Sequence, residues 1–218
     1  MTYTPIVPAV IPQSADEIKN YAANFSFSHE FHLDIVDGVF APATTWPYQP
    51  SGKPLTVKHE LDAYTLEIDL MVTEPITAAE QWIAAGADML VFHVETLDVN
   101  ALQHFSEETD VSIGVSLHGA TTMDFFEQYL PYADYVQLMG IYDIGSQGQP
   151  LDEAVFEKIA YMKQQYPHLS VTIDGSVNAQ TIERLKAAGA DRFIVGSAVT
   201  LQSEPESAYK TLHTLINQ

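Results

Sequence analysis

Apolar and polar positions along this chain follow two alternating rhythms. Short runs dense in Val, Ile, Leu, Phe and Tyr are each followed by a longer stretch whose apolar residues recur at helical spacing. The apolar runs predict strands at 5–11 (PIVPAVI), 30–36, 65–72 (TLEIDLMV), 89–94 (MLVFHV), 111–117 (VSIGVSL), 135–139 (YVQLM), 169–174 (LSVTID) and 192–196 (RFIVG). The intervening segments predict helices at 14–25, from Pro75 onward, and at 100–108, 121–130, 151–166, 178–188 and 205–216. Ser14 is placed as an N-cap with Glu17 completing a capping box, and Pro75 suits a first helical turn.

Strand and helix in strict alternation demand a parallel sheet. The pentapeptide AAGAD occurs at 84–88 and again at 187–191, so one helix-to-strand turn is used twice, with its glycine as a left-handed cap. One unit breaks the pattern. Between strands two and three, prolines at 42, 47, 50 and 54 forbid a long helix, which predicts an extended loop with at most a short helix near 55–61. The expectation is one (β/α)8 TIM barrel domain over residues 1–218 with an irregular second unit across 41–64. A doubly wound open sheet is the alternative, but no glycine-rich dinucleotide turn follows the first strand.

Composition narrows the function. At 218 residues and 46% hydrophobic content the chain has material for one large core. No run approaches the roughly 20 apolar residues of a membrane span, and the N-terminal apolar run has no basic region before it, unlike a signal peptide. A cytoplasmic location is therefore expected. Without cysteine there is no disulfide, no thiol chemistry and no Cys-ligated zinc, so any metal must use His, Asp or Glu. The net charge of −20, from 29 acidic and 9 basic residues, repels nucleic acid and anionic lipid. It also repels a phosphorylated ligand at long range, so a phosphate site must rest on backbone N–H groups and helix N-termini.

The candidate chemistry lies at strand ends. FHLDIVDG at 31–38 and VTIDGSV at 171–177 each deliver an aspartate there, Asp34 and Asp174. Parallel barrels place catalytic groups at the C-terminal ends of strands. His32 and Asp34, two apart, share one face of their strand. Two carboxylates on separate strands, one beside a histidine, suit metal-assisted proton transfer on a small substrate; an isolated His-x-Asp is equally well a buried polar pair.

Along most of its length the chain resembles the ribulose-phosphate 3-epimerase family. FHLDIVDGVFAP is similar to that family's strand-two motif, DLMVTEP to its strand-three motif and FHVET to its strand-four ending. IDGSV and VGSAV are similar to its last two strand-to-helix turns. The resemblance implies a TIM barrel with a divalent metal, commonly zinc, that epimerises C3 of a pentulose 5-phosphate. It implies that His32, Asp34 and Asp174 are metal ligands and that Asp34 and Asp174 form the acid/base pair. Met71 and Met139 match positions that line the substrate carbon. Gly175 with Ser176 and Gly196 with Ser197 stand where such barrels hold phosphate through backbone amides. The sixth loop, GSQGQ at 145–149, offers Gly145 and Gly148 as a further contact or lid.

The chain also departs from the family pattern. Where the family has its second metal histidine, in H-L-M-V, this chain reads Asp69-Leu70-Met71-Val72. Ala9 replaces a serine, Val36 replaces a methionine, and the sixth loop lacks P-G-F and is one residue longer. Asp69 is the expected fourth ligand. One histidine with three aspartates leaves a divalent site near −1, weakens its Lewis acidity and shifts preference from zinc towards manganese or magnesium; zinc, manganese, iron and magnesium all stay open. The alternative is that Asp69 hydrogen-bonds His32 and the barrel holds no metal. His93 could compensate, but nothing in the sequence places it within reach. The expected activity is epimerisation of a ketose phosphate, in a homo-oligomer. A ketose-phosphate lyase or synthase of the same barrel group and a non-catalytic sugar-phosphate-binding paralogue are the competing functions.

Overall fold

The computed structural model describes residues 5–145 and 148–217. Eight parallel strands close into a barrel in chain order: β1 (Ile6–Val10), β2 (Glu30–Val36), β3 (Thr65–Met71), β4 (Met89–His93), β5 (Ser112–Leu117), β6 (Tyr135–Met139), β7 (Ser170–Asp174) and β8 (Arg192–Val195). β8 returns to pair with β1 through Ile6 and Phe193, so the sheet has no free edge. Outward-facing residues such as Leu33, Ile68, Phe92 and Val171 pack with the helices into the main core. The barrel interior holds the alternate positions, and there polar residues outnumber apolar ones. That is unusual for a barrel, whose interior is normally filled by branched apolar side chains.

Helix α1 (Ala15–Asn24) follows β1, and Ser14 Oγ accepts the N–H of Glu17 at 3.1 Å as expected of an N-cap. Glu17 reaches back one residue further than a capping box requires, accepting from Gln13 N rather than Ser14 N. The second unit is irregular, with a 3₁₀ turn at Pro54–Val57 running into a single turn α2 (Lys58–Leu61). α3 (Pro75–Ala84), α4 (Val99–Glu108), α6 (Val155–Gln165) and α9 (Pro205–Leu215) are the longer covering helices. No helix among the described residues is long and apolar enough to cross a membrane.

Three expected helices differ from their predicted extent. The segment 121–130 forms only α5 (Met123–Phe126), and the chain then enters a 3₁₀ turn at Leu130–Tyr132; Pro131 has no N–H with which a continued α-helix could bond Glu127 O. The helix expected over 178–188 begins later, as α7 (Ile182–Ala188). Asn178 Oδ1 accepts from Gln180 N and Thr181 Oγ donates to Ser176 O, and these local bonds hold the backbone in turns. The third, expected from 151, starts at Val155 after Asp152 Oδ1 takes the N–H of Ala154. A short helix, α8 (Ser197–Thr200), opens directly after Gly196.

Both AAGAD glycines are left-handed, Gly86 at φ 101° and Gly189 at φ 113°. Their aspartates fasten the base of the barrel: Asp88 accepts from Leu66 N and Asp191 from Val171 N, at 2.9 and 2.8 Å. Asp134 repeats the contact on Ile113 N.

Candidate active site

At the C-terminal mouth of the barrel lies a cavity of about 180 Å³. Asp34, Met71, Met139 and Asp174 line it from the strand ends. Gly175, Ser176, Gly196 and Ser197 line it from the last two turns, and Gly145 and Gly148 from the sixth loop. Ser146 and Gln147 of that loop lie outside the described residues. The turn after β7 is left-handed at both Gly175 (φ 95°) and Ser176 (φ 55°). Gly140 permits the close approach of this turn, for a Cβ there would sit 2.2 Å from Gly175 O.

Below the mouth, one ligand-capable atom from each of His32, Asp34, Asp69 and Asp174 lies within 4.8 Å of the others. His32 Nε2 is 3.2 Å from Asp34 Oδ1, close to the edge between two ligands of one small cation. His32 Nδ1 is held at 2.6 Å by Glu67 Oε2. A carboxylate on one ring nitrogen fixes the tautomer and leaves the other nitrogen facing the cluster, the usual support of a metal-binding histidine. The donor set therefore fits a divalent cation, and its composition is oxygen-rich.

The electrostatics point the same way. Burial, reinforced by the charge of Asp34, pushes the Asp174 carboxyl well above the usual carboxylate range. Burial also raises Asp34, against the opposing effect of His32. Burial disfavours the charged form of His32, yet Glu67 and Asp34 on either side outweigh it and lift its pKa well above 6.5. His32, Asp34 and Asp174 are thus all shifted toward their protonated forms.

Asp69 does not bond His32. Its Oδ1 lies 3.0 Å from His93 Nε2, and its Oδ2 accepts from Gln137 Nε2 at 2.8 Å. The histidine that the sequence left unplaced thus stands against the substituted aspartate and shares its charge. Burial works against a charge on His93, but Asp69 outweighs it and raises the pKa.

Sequence reading missed the layer that supports these residues. Glu67 joins His32 to Tyr135, whose hydroxyl donates at 2.6 Å, and to Arg192, whose Nη1 lies 2.9 Å from both carboxylate oxygens. Arg192 Nη2 bonds Glu30 at 2.9 Å. A signal existed in the strand pattern. Glu30, His32 and Asp34 alternate along β2, and Glu67 and Asp69 alternate along β3, so ionisable groups occupy every second position of otherwise apolar strands.

The sequence pattern of the "Ribulose-phosphate 3 epimerase family" matches residues 4–200. A protein of Treponema pallidum named ribulose-phosphate 3-epimerase is 31% identical over 173 residues, 77% of each chain. One of the same name from Mycobacterium leprae is 28% identical over 214 residues, covering 95% of this chain and 92% of its own. Among solved structures, a 3-keto-L-gulonate-6-phosphate decarboxylase of Vibrio cholerae superposes with a TM-score of 0.76 at 14% identity, over 99% of this chain and 98% of its own. A 3-hexulose-6-phosphate synthase gives 0.74 at 15% identity, over 98% and 100%. These two likenesses establish the barrel fold.

Proposed function

Because the chain belongs to the ribulose-phosphate 3-epimerase family, we propose that it epimerises C3 of a phosphorylated 2-ketose, with ribulose 5-phosphate and xylulose 5-phosphate as the leading pair. The observation that carries this reading is the convergence of His32, Asp34, Asp69 and Asp174 beneath a cavity floored by two carboxylates. The C3 proton of a 2-ketose is acidic because its removal gives an enediolate. Inversion needs one group on each face of that plane. Asp34 on β2 and Asp174 on β7 supply such a pair. In either direction one of them removes the C3 proton as a carboxylate and the other returns a proton from the opposite face. Their roles exchange when the reaction runs in reverse.

His32, Asp34, Asp69 and Asp174 would hold a divalent cation, with manganese or magnesium better matched to the oxygen-rich set than zinc. Bound there, the cation supplies positive charge against the developing enediolate. Met71, Met139 and Ile141 exclude water around the reacting carbon. The phosphate end is read as the turns at Gly175–Ser176 and Gly196–Ser197, where backbone N–H groups and the two hydroxyls do the work of absent cationic side chains.

Two results test this reading. Ketose 5-phosphates incubated with the protein in deuterium oxide are expected to gain deuterium at C3 and to interconvert without fragmentation. Carbon–carbon cleavage would assign a lyase, and neither exchange nor cleavage a binding paralogue. Metal binding should also be linked to protons. His32 and Asp174 are protonated more readily than usual, and a cation must displace those protons, so Mn²⁺ affinity is expected to rise as pH is raised through the neutral range. Calorimetry in buffers of different ionisation enthalpy measures the protons released, and a pH-independent affinity would remove these residues from the ligand set.

A further inference from the structure

Next to Asp69, four successive strands carry polar residues at paired register positions. His93 on β4 pairs with Ser116 on β5, Ser116 with Gln137 on β6, and Gln137 with Thr172 on β7. All four residues are fully buried. His93 from the neighbouring strand and Gln137 from across the barrel both meet Asp69 on β3, so the row faces the barrel axis. Register partners of a parallel pair share a face, which puts Ser116 and Thr172 on that axis too.

Each member has one polar atom with no hydrogen-bond partner among the described residues: His93 Nδ1, Ser116 Oγ, Gln137 Oε1 and Thr172 Oγ1. Buried polar atoms are rarely left unpaired, and four side by side point to a shared occupant. We propose that this row binds a short file of ordered water molecules, and that through it His93 and Gln137 act as positioning residues for Asp69.

Water is the chemistry that fits. Gln137 Oε1 can only accept, the two hydroxyls can do either, and His93 Nδ1 needs a donor or an acceptor according to its tautomer. Water meets all of these needs, and a buried water typically makes two to four such bonds. A cation would find no anionic ligand within the row, and an anion would meet the Gln137 carbonyl. Ser116 on β5 and Thr172 on β7 are separated by Gln137 on β6, two strand spacings of about 4.8 Å, so their hydroxyls cannot bond each other and each can be met by water. Water on Oε1 fixes the orientation of the Gln137 amide, so that Nε2 points at Asp69 Oδ2. Water on Nδ1 likewise holds the His93 ring with Nε2 on Oδ1. The ligand that replaces a histidine is thereby gripped on both oxygens from inside the barrel.

The water site stands apart from the proposed reaction, and its first test does too. Thr172→Val keeps the shape and removes the hydroxyl. If that hydroxyl bonds water, the variant unfolds at lower urea concentration than wild type, and a high-resolution crystal structure of the wild-type chain shows ordered density bridging the row. A midpoint that is unchanged or raised, or a row without density, overturns the site. The positioning role is read by Mn²⁺ calorimetry on folded Gln137→Leu protein, where loss of a supporting hydrogen bond should weaken binding about 10–100-fold. An unchanged dissociation constant overturns that role. Wild-type protein that binds no Mn²⁺ overturns the positioning role together with the metal reading, while the Thr172→Val result still decides the water site.

Discussion

Asp174→Asn is expected to lower kcat by about 10²–10⁴-fold, the usual contribution of a positioned general acid or base, with little change in KM. Asp34→Asn should do the same. The two variants are told apart by isotope exchange. Each retains one carboxylate, so each should wash deuterium into C3 of one epimer only and fail to invert it. The loss should not come from misfolding. Asp174 is buried beside another carboxylate, and burial and that neighbour both disfavour its charge, so a neutral isostere removes a repulsion. The urea midpoint of Asp174→Asn is accordingly expected to equal or exceed that of wild type. Full turnover by either variant would take that residue out of the acid/base pair, whatever its effect on stability.

Arg192→Met is expected to destabilise the fold by about 3–5 kcal/mol, the range for removing one partner of a buried ion pair. Arg192 is 1% exposed and is held by Glu67 and Glu30 on two other strands, so its loss takes the guanidinium from two buried carboxylates. Equilibrium urea unfolding measures the effect. Combining Arg192→Met with Glu67→Gln should recover part of it, because the second change neutralises a buried charge that the first left without its guanidinium. The deficit should depend on pH. Despite burial, which raises it, Glu67 is held down to about 2 from 4.5, by Arg192 first and then His32. A depressed carboxyl stabilises the fold above its unfolded pKa, and that contribution is lost as pH falls through the folded value. In Arg192→Met the depression is relieved, so the gap to wild type should narrow as pH drops from 4.5 towards 2. A loss under about 1 kcal/mol, with no narrowing in acid, would show that the network contributes nothing net to the fold.

The architecture was legible because its causes are local. Period-two apolar runs, helical spacing between them and glycine-capped turns are set by neighbours a few residues apart. They gave the eight strands and the helices between them, and the four prolines gave the irregular second unit. Where local rules compete, the reading slipped. Pro131 and the side-chain turns at Asn178 and Thr181 shortened two helices, since the backbone there has a bonded alternative to the helix.

The site residues were legible one by one, as polar positions at strand ends, and their grouping followed from a family pattern. Their partners were not. Asp69 takes Gln137, 68 positions away, and Glu67 takes Arg192, 125 positions away. By itself the sequence determined an alternating barrel, an acidic surface without cationic phosphate clamps, and carboxylates delivered to strand ends. Only the tertiary structure decided that His93 and Gln137 hold the substituted aspartate, and that Glu67 holds His32. Closing a barrel brings inward-facing side chains from distant strands onto one axis, and which atoms then meet depends on register and twist, which no local pattern of residues specifies.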